Sequence, residues 1–487
     1  MNRHATLNRF YRLVWNDRLA AYVAVAETTK GRGKRSVRAG ALAAVFMAAK
    51  GLCAPYARAG PPNPPAPTQL PTGAQVTAGS ASINQSGTHL DVNQSSNRAV
   101  INWNTFNVGS QAQVNYNQPS SSSATLNRVL DSNPSQILGK ITANGQVYFV
   151  NPNGVYFGKS ASVDVGALVA STHSIKDADF MAGKLKFSRD GSTGSVVNEG
   201  DIRAALNGFV ALLAPEVRNE GVIVAQLGTV ALASGEAVSL QFDGEGRLHN
   251  VTVEPSQIKA LVENKGAVLA PGGLIILSAR AVDRLQGGVV KNSGRLEATG
   301  MQMRGGKIVL EGGSSGVVEN SGTLDASSAE GQGGRIVVTG EQVLIKSGSH
   351  LTASGATGGG EVLVGGDWQG SGGLYQATTV TMEQGASIDV SATKVGSGGT
   401  AVLWSDVGSP LSVTRAYGSV EAKGGPNGGD GGRIETSGHV VDTSEITVNA
   451  GATRGKGGLW LIDPADSTVT QAIANGYVTT LNPPVPE

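Results

Sequence analysis

Carboxylates and histidines are the side chains of this sequence that could perform catalysis or bind a metal. Pairs of Asp or Glu cleave glycosidic bonds, but the candidate carboxylates here occur singly along the second half of the chain. These carboxylates are Asp325, Glu361, Asp367 and Asp389. The histidines are equally scattered, without a Cys or a second His at metal-ligand spacing. They are His4, His89, His173, His249, His350 and His439. The pattern predicts a solvated surface without a catalytic residue, a metal site or a cofactor.

A glycine-rich segment at residues 428–432, Gly-Gly-Asp-Gly-Gly, is similar to a calcium-binding Gly-Asp repeat. A calcium site of that kind requires tandem nonapeptides, which the surrounding sequence does not contain. Because Gly-rich corners recur throughout this half of the chain, we interpret the segment as a turn.

The formal charge of +1 hides an asymmetry between the two ends of the chain. Residues 1–59 contain 11 Lys/Arg and 2 Asp/Glu, which leaves 27 basic and 35 acidic residues in the remainder. The body of the protein is therefore acidic. Nucleic-acid binding requires a basic face that neutralises phosphates, so the charge distribution argues against a nucleic-acid partner.

Repeats of Asn and Gly indicate the secondary structure that positions the carboxylates and histidines. Of 487 residues 69 are Gly, and a Val-x-Asn-x-Gly unit recurs in degenerate form. The Asn residues of the unit are Asn198, Asn219, Asn264, Asn292 and Asn320. The second half of the unit begins with a Gly-Gly pair, as at 305–306 and 333–334, followed by a short apolar run. Self-similarity at 20 to 30 residues is typical of a solenoid.

The short strands of each unit predict an all-β fold, a right-handed parallel β-helix with one coil per unit. Val, Ile and Leu would fill the interior, and Gly and Asn would form the corners. We expect the Asn residues of neighbouring coils to form a hydrogen-bonded ladder, as stacked amides do elsewhere. Roughly 400 residues in coils of about 20 would make a stack on the order of 100 Å long.

The amino-terminal residues have the pattern of a secretory signal. Basic residues at 30–38 precede an apolar run at 39–49, which is followed by a small-x-small cleavage site at Ala57 and Ala59. The run is too short to span a membrane, so we expect a cleaved, helical signal segment. The only cysteine, Cys53, lies in this leader, and the mature chain would contain no disulfide.

The leader is longer than an ordinary signal peptide. Residues 11–16, Tyr-Arg-Leu-Val-Trp-Asn, and residues 22–27 precede the basic stretch. Together these segments resemble the extended signal peptide region of large Gram-negative autotransporters and two-partner secretion exoproteins. The resemblance implies export through the general export machinery.

A turn at residues 151–154, Asn-Pro-Asn-Gly, separates two apolar strands downstream of a Pro-rich linker at 60–73. Pro152 fixes one φ angle and the Asn-Gly pair accepts positive φ, so β-turn chemistry alone explains the motif as a structural turn. We expect Asn153 to hold the turn.

Three motifs in this order resemble the amino-terminal secretion domain of filamentous haemagglutinin and related two-partner adhesins. They are Asn102 to Val108, Leu126 to Val129, and Asn144 to Gly154. The family's further Asn-Pro-Asn-Leu tetrapeptide does not occur here, which places the chain in a subgroup. The resemblance implies a secretion motif comprising Asn102, Trp103, Phe106, Asn127, Arg128, Asn151, Pro152, Asn153 and Gly154.

These segments predict the organisation of the chain. The expected parts are an extended signal peptide at 1–59, a linker at 60–73, a secretion domain at 74–250, β-helical repeats at 251–465 and a tail at 466–487. Residues 457–464 resemble a segment that much more sequence follows in larger haemagglutinin-like adhesins. We expect a truncated or short member whose tail begins such a continuation.

The resemblance implies an adhesin, not an enzyme, secreted to the surface of a Gram-negative bacterium through an outer-membrane transporter of the Omp85 type. Its receptor would lie on a host or bacterial cell. Two other functions remain open: the stalk of a contact-dependent toxin delivery protein, and a β-helical enzyme acting on polysaccharides.

Overall fold

The computed structural model describes residues 11–16, 21–26, 63–283, 285, 287–301, 305–466 and 473–474. The chain divides into two units, Met1–Pro62 and Asn63–Glu487. In the first unit, strands Tyr11–Asn16 and Ala21–Ala26 pair antiparallel, with Tyr11 opposite Ala26.

The prediction of a helical signal segment is wrong for these two stretches. Both contain Val and Tyr, and the first also contains Trp; these β-branched and aromatic side chains favour strands. The apolar run at 39–49 and the cleavage residues Ala57 and Ala59 lie outside the described residues.

The second unit is a parallel β-helix, which confirms the predicted fold class. Most coils contribute one strand to each of three parallel sheets, which we name A, B and C in the order in which a coil visits them. Sheet A contains Arg98–Trp103, Ala124–Val129, Gln146–Val150, Ala167–Ser171, Phe209–Leu213, Thr229–Ser234, Leu274–Ala279, Lys307–Glu311, Arg335–Thr339, Glu361–Val364, Thr400–Trp404, Arg433–Asp442 and Leu459–Asp466.

Sheets B and C complete the coils. Sheet B contains Ser135–Ile137, Val155–Phe157, Ser195–Asn198, Glu216–Asn219, Ala260–Asn264, Gly288–Asn292, Val317–Asn320, Gln342–Ile345, Thr379–Met382 and Val413–Ala416. Sheet C contains His89–Gln94, Gln113–Asn117, Lys140–Ala143, Ser162–Val165, Asp201–Ala204, Val222–Ala225, Ala267–Leu269, Arg295–Glu297, Thr323–Asp325, His350–Thr352, Ser387–Asp389, Ser419–Glu421, Thr447–Asn449 and Ile473–Ala474. Strand Arg433–Asp442 runs without a break from sheet A into sheet B, where it pairs with Val413–Ala416.

Apolar side chains at alternate strand positions fill the interior. Val217, Val262 and Val290 are in register on adjacent sheet B strands and are fully buried. Glycine is required at the corners because neighbouring coils approach closely there. A Cβ atom on Gly266 would lie 2.0 Å from the carbonyl oxygen of Gly221, which no other residue type could tolerate.

The coils are longer than the repeat pattern predicts. Equivalent Asn residues are 21 residues apart between Asn198 and Asn219, but 45 apart between Asn219 and Asn264. With about 4.8 Å for each strand of sheet A, the stack is roughly 60 Å high rather than 100 Å. The extra residues form excursions from the coils, so they do not add to its height.

Two excursions cover the outer side of sheet A in the first half of the stack. One contains helix Asp177–Met181 and strand Lys186–Ser188; the other is the hairpin of Ala237–Phe242 and Leu248–Glu254. The three strands form an antiparallel sheet. This sheet and the helix bury a second apolar cluster that includes Val100, Leu126, Tyr148, Phe180 and Phe187. The domain boundary proposed at 250/251 falls inside the last of these strands.

Short elements complete the described structure. Strand Gln75–Ala78 pairs antiparallel with Arg98–Trp103, and Ala81–Ser86 pairs antiparallel with His89–Gln94, so both cap the amino-terminal end of the stack. The 3-10 helices Gly313–Ser315 and Trp368–Gly370 lie between strands of sheets A and B. No helix in the described ranges is long and apolar enough to cross a membrane.

Part of the Pro-rich linker packs against the first coil, although the sequence predicts an unpacked segment. The side chain of Leu70 is buried, and the amide nitrogen of Thr72 donates a 3.0 Å hydrogen bond to the carbonyl oxygen of Thr105. Leu70 and Pro71 are both buried there, and burial of their apolar area accounts for the contact.

Candidate functional site

The predicted secretion motif contributes an aromatic cluster to the interior of the first coils. The rings of Trp103 and Phe106 meet edge to face with their centroids 5.3 Å apart, and Phe106 lies 4.8 Å from Phe149. All three side chains are buried. The first and third motifs therefore meet in space, because alternate strand positions of adjacent coils face the same interior.

Asn127, from the second motif, is the polar centre of this cluster. Its side-chain oxygen accepts a 3.0 Å hydrogen bond from the indole nitrogen of Trp103 and a 2.9 Å bond from the hydroxyl of Tyr116. Its amide nitrogen donates to the carbonyl oxygen of Tyr148 at 3.2 Å. Asn127 is fully buried, so these bonds satisfy groups that would otherwise be costly to bury.

Burial raises the pKa of Tyr116 well above its usual value, although the hydrogen bond to Asn127 acts in the opposite direction. The phenol therefore remains protonated and donates its hydrogen. Tyr116 lies outside the three motifs and was not among the predicted site residues. The alternation of Val114 and Tyr116 with polar residues in strand Gln113–Asn117 was the available signal that it points inward.

Two motif residues lie on the outer side of sheet A instead. The guanidinium of Arg128 pairs with the carboxylate of Asp177 and donates a 2.6 Å bond to the carbonyl oxygen of Ile175. Asn102 is partly buried, and its side-chain oxygen has no hydrogen-bond partner. Arg128 therefore anchors the helical excursion and does not join the aromatic cluster.

The turn at Asn151–Gly154 forms a corner between sheets A and B. The side-chain oxygen of Asn151 accepts a 3.0 Å bond from the backbone nitrogen of Asn153, and its amide nitrogen donates to the carbonyl oxygen of Asn133 and the hydroxyl of Ser135, both at 3.0 Å. Asn151 is fully buried. Asn151, rather than Asn153, therefore holds the turn and ties it to the preceding coil.

Pro152 and Asn153 are exposed at the tip of this corner. The side chain of Asn153 donates a 2.8 Å hydrogen bond to the carbonyl oxygen of Asp131, and the hydroxyl of Ser192 donates to the carbonyl oxygen of Pro152 at 2.7 Å. Gly154 has φ +130°, in the region that favours glycine. The tip is thus held between two other segments and open to solvent on its outer side.

The predicted ladder of asparagines is confirmed. The amide nitrogen of each Asn donates to the side-chain oxygen of the next at 2.7 to 2.8 Å, and also to the carbonyl oxygen of the Gly two positions ahead. The members are the five repeat residues Asn198, Asn219, Asn264, Asn292 and Asn320. All are buried, so the ladder links five coils through one continuous line of amides.

The candidate carboxylates do not form a catalytic group. Asp325 and Asp389 lie on sheet C with Thr352 between them in register, which places them two strand spacings, about 10 Å, apart. Glu361 lies 3.2 Å and Asp367 3.8 Å from the guanidinium of Arg335. Within the described ranges, no group of three His, Cys, Asp or Glu residues could hold a metal ion.

Comparison with known families agrees with the position of the motifs. Residues 68–326, more than half of the chain, match the model of the TPS, or two-partner, secretion domain. The chain belongs to this family. Residues 8–54 match the extended signal peptide of the type V secretion system, so this member of the two-partner secretion family is exported and secreted across the outer membrane of a Gram-negative bacterium.

Solved and curated relatives support the assignment. The HMW1 secretion domain from Haemophilus influenzae is 30% identical, has a TM-score of 0.71, and covers 81% of this chain and 100% of its own. Two heme/hemopexin-binding proteins of Haemophilus influenzae are 33% and 29% identical, over 50% and 45% of this chain. The chain spans about a quarter of the length of these two proteins, 27% and 26%. The matched families are secretion domains of exoproteins, not enzymes.

Proposed function

We propose that an outer-membrane transporter of the Omp85 type recognises the first coils of this two-partner secretion exoprotein and exports the chain, and that the secreted protein is an adhesin. The observation that carries the export proposal is the meeting of all three motifs within 102–154, with Trp103, Phe106 and Asn127 in one core and the Pro152–Asn153 tip exposed beside it. The secretion motif is proposed to act through this tip.

The architecture suits export of an unfolded chain. The described residues from 63 onward contain no cysteine, so no disulfide of this part need open before passage through a narrow pore. Each coil that emerges buries its Val, Ile and Leu residues against the coil before it, and this burial opposes return of the chain. The capping strands at 75–86 close the amino-terminal end of the stack, so new coils are added at the other end.

Deletion of residues 74–158 tests the export step. With a matching transporter, we expect this variant to remain in the periplasm. The control is deletion of 293–320, which removes 28 residues, the spacing that separates Asn264 from Asn292 and Asn292 from Asn320. This change should leave the remaining coils in register and preserve export. Efficient appearance of the 74–158 deletion in the medium would contradict the proposal.

The adhesin proposal is supported by the long lateral surface of the stack. Its surface after residue 250 exposes large apolar side chains at several heights, including Leu285, Val395 and Leu411, which are 47% to 93% exposed. Many weak contacts along such a surface add through multivalency without a deep pocket. The domain limits at 250/251 and 465/466 remain part of this proposal, with the repeats after 250 presenting the adhesive surface.

An adhesion assay tests this function. Beads coated with residues 60–487 should adhere to host cells or to one another, and the soluble fragment should compete at high concentration. A parallel screen measures cleavage of polysaccharides and binding of haem and hemopexin, which the names of two relatives associate with those proteins. Glycan turnover that is lost on replacing Asp325, Glu361, Asp367 or Asp389, or haem binding without adhesion, would overturn the adhesin proposal.

A further inference from the structure

A groove of about 450 Å³ follows the outer side of sheet A in the first half of the stack. Its floor consists of small residues and one ring on adjacent coils, Gly166, Ala167, Gly208 and Phe209. The tip of the hairpin at 242–247 and the segment 183–185 form a wall of the groove. The volume lies within the range of small-molecule sites.

Arg98 lines this groove and has no carboxylate partner among the described residues. Its side chain is partly buried, donates a 3.1 Å hydrogen bond to the carbonyl oxygen of Phe180 and lies 5.1 Å from the centroid of that ring. Other partly buried arginines, such as Arg128, Arg189 and Arg218, each pair with Asp or Glu. Arg98 therefore keeps guanidinium hydrogens for an external acceptor.

Apart from the paired Glu245 and Arg247 of the hairpin, the rest of the groove combines apolar area with neutral polar groups. The rings of Phe209 and Phe242 meet with centroids 5.2 Å apart, and Leu206 is 59% exposed. Ser122 and Asn207 lie on the rim. This combination fits a sugar, whose ring carbons contact apolar side chains while its hydroxyls bond to amides and hydroxyls.

Arg247 does not compete for the same ligand group. It pairs with Asp243 at 3.0 Å and with Glu245 at 3.0 Å, at the tip of the hairpin. Arg98 is consequently the one groove cation, among the described residues, that is available to an anion. A planar guanidinium binds a carboxylate with two parallel hydrogen bonds, which a lysine cannot reproduce.

Two other occupants fit the groove less well. A peptide added as a β-strand needs unpaired backbone groups, but strands Gln146–Val150, Ala167–Ser171 and Phe209–Leu213 are paired on both sides. Haem needs an axial ligand, and the described lining contains no His, Cys, Met or Tyr.

We propose that this groove binds a saccharide that carries a carboxylate, with Arg98 holding the carboxylate and Phe242 and Leu206 contacting the sugar ring. The biological role of this binding rests on the proposed adhesin function, but the binding itself does not. Binding to the purified protein tests the groove, and the bead assay tests adhesion, so the two proposals fail independently.

The test is calorimetric titration of the secreted full chain with glucuronate and with polygalacturonate, against glucose and acetate. Glucuronate should bind at least tenfold more tightly than glucose or acetate, because each control lacks either the carboxylate or the ring. Polygalacturonate shows whether the natural ligand is a polymer or a free acid sugar. If it binds more strongly per sugar residue than glucuronate, the ligand is a polymer; if the two bind equally, the ligand is a free sugar. Both results support the proposal.

Variants locate the site. Arg98→Gln and Arg98→Lys should weaken glucuronate binding at least tenfold, and Arg203→Gln, an exposed arginine outside the groove, should leave it unchanged. Because Arg98 also contacts Phe180, Ala205→Trp serves as a second variant that fills the groove from its exposed rim while Arg98 stays intact. Equal affinity for glucuronate and glucose, or unchanged binding in both Arg98→Lys and Ala205→Trp, would overturn the proposal.

Discussion

The indole nitrogen of Trp103 donates a 3.0 Å hydrogen bond to the side-chain oxygen of Asn127, in the fully buried interior of the first coils. The two residues are 24 positions apart and come from different motifs. The same oxygen accepts the hydroxyl of Tyr116, so one amide satisfies two aromatic donors. The motif residues therefore have a structural role in the core as well as any role in export.

Replacement of Asn127 tests this role. Asn127→Leu removes the acceptor for Trp103 and Tyr116 without a large change in volume, and each buried donor left unpaired costs about 1 to 3 kcal/mol. We expect the free energy of unfolding to fall by about 3 kcal/mol in a urea titration. Asn117→Leu, which removes an exposed hydrogen bond to Asn93, is the control and should cost less than about 1 kcal/mol. Equal losses in both variants would contradict this assignment.

The two asparagines of the corner should differ. Asn151→Ala removes three hydrogen bonds of a buried side chain and should lower the free energy of unfolding by about 2 kcal/mol. Asn153→Ala removes an exposed bond to Asp131 and should lower it by less than about 1 kcal/mol.

Export should follow a different order from stability. If the exposed tip contacts the transporter, Asn153→Ala impairs secretion more strongly than its small loss of stability predicts. Thermal melts of the purified domain and the fraction of protein in the medium are measured for Asn151→Ala and Asn153→Ala together. Secretion that simply tracks the melting temperature in both variants would show that the turn is purely structural.

The asparagine ladder predicts a graded effect along the stack. Asn264 lies inside the ladder and Asn320 at its end, so Asn264→Val breaks bonds on two sides and Asn320→Val breaks the ladder on one. We expect the free energy of unfolding to fall by about 3 kcal/mol for Asn264→Val and about 1 kcal/mol less for Asn320→Val. The same loss at both positions would mean that the amides do not act as a ladder.

His173 should make the protein sensitive to acid. Burial, together with Arg189, lowers the pKa of His173 from 6.5 to about 4. Because the folded pKa is below the unfolded one, the stabilisation is complete above pH 6.5 and is lost as the pH falls toward 4, by about 3 kcal/mol. In urea titrations at pH 7, 5.5 and 4, this loss should appear in the difference between the original protein and His173→Leu. His173→Leu should remove it, and an unchanged pH profile in that variant would refute the assignment.

Glu435 should act in the opposite direction. Burial, with a smaller contribution from Asp463, raises the pKa of Glu435 from 4.5 to about 7, against hydrogen bonds from Gln369 and Ser437. Since the folded pKa is the higher one, the stabilisation is complete below pH 4.5 and is lost as the pH rises through 7, by up to about 3 kcal/mol. Glu435→Gln should remove this contribution, so the difference in free energy of unfolding between the variant and the original protein should change by up to about 3 kcal/mol between pH 4.5 and 7. A variant with the same slope as the original protein would exclude Glu435 as its source.

The repeat pattern predicts the β-helix and its ladder because both depend on local spacing. In a stack of parallel strands, the residue at one position of a coil faces the same position of the next. A Val-x-Asn-x-Gly unit therefore places its Asn under the next Asn, whatever the length of the intervening loop. The pairing of Asn219 with Asn264 across 45 residues follows from this rule.

The predicted length of the coils was wrong for a related reason. Degenerate repeats fix which residues align, but they do not distinguish a coil strand from an excursion that leaves the stack and returns. The hairpin strands Ala237–Phe242 and Leu248–Glu254 have the same alternation as coil strands, yet they pair antiparallel with each other. Only their packing on the outer side of sheet A shows that they belong to an excursion and not to a coil.

The sequence by itself determined the family, the export signal, the corner glycines and the asparagine ladder, since each depends on residue types at fixed spacing. The tertiary structure decided that Asn151 holds the corner, that Arg128 anchors a helix and that Arg98 lines a groove. These roles depend on contacts between residues far apart in the chain, such as Arg98 and Phe180, which are 82 positions apart. Such contacts arise from the packing of excursions against sheet A, which no local periodicity encodes.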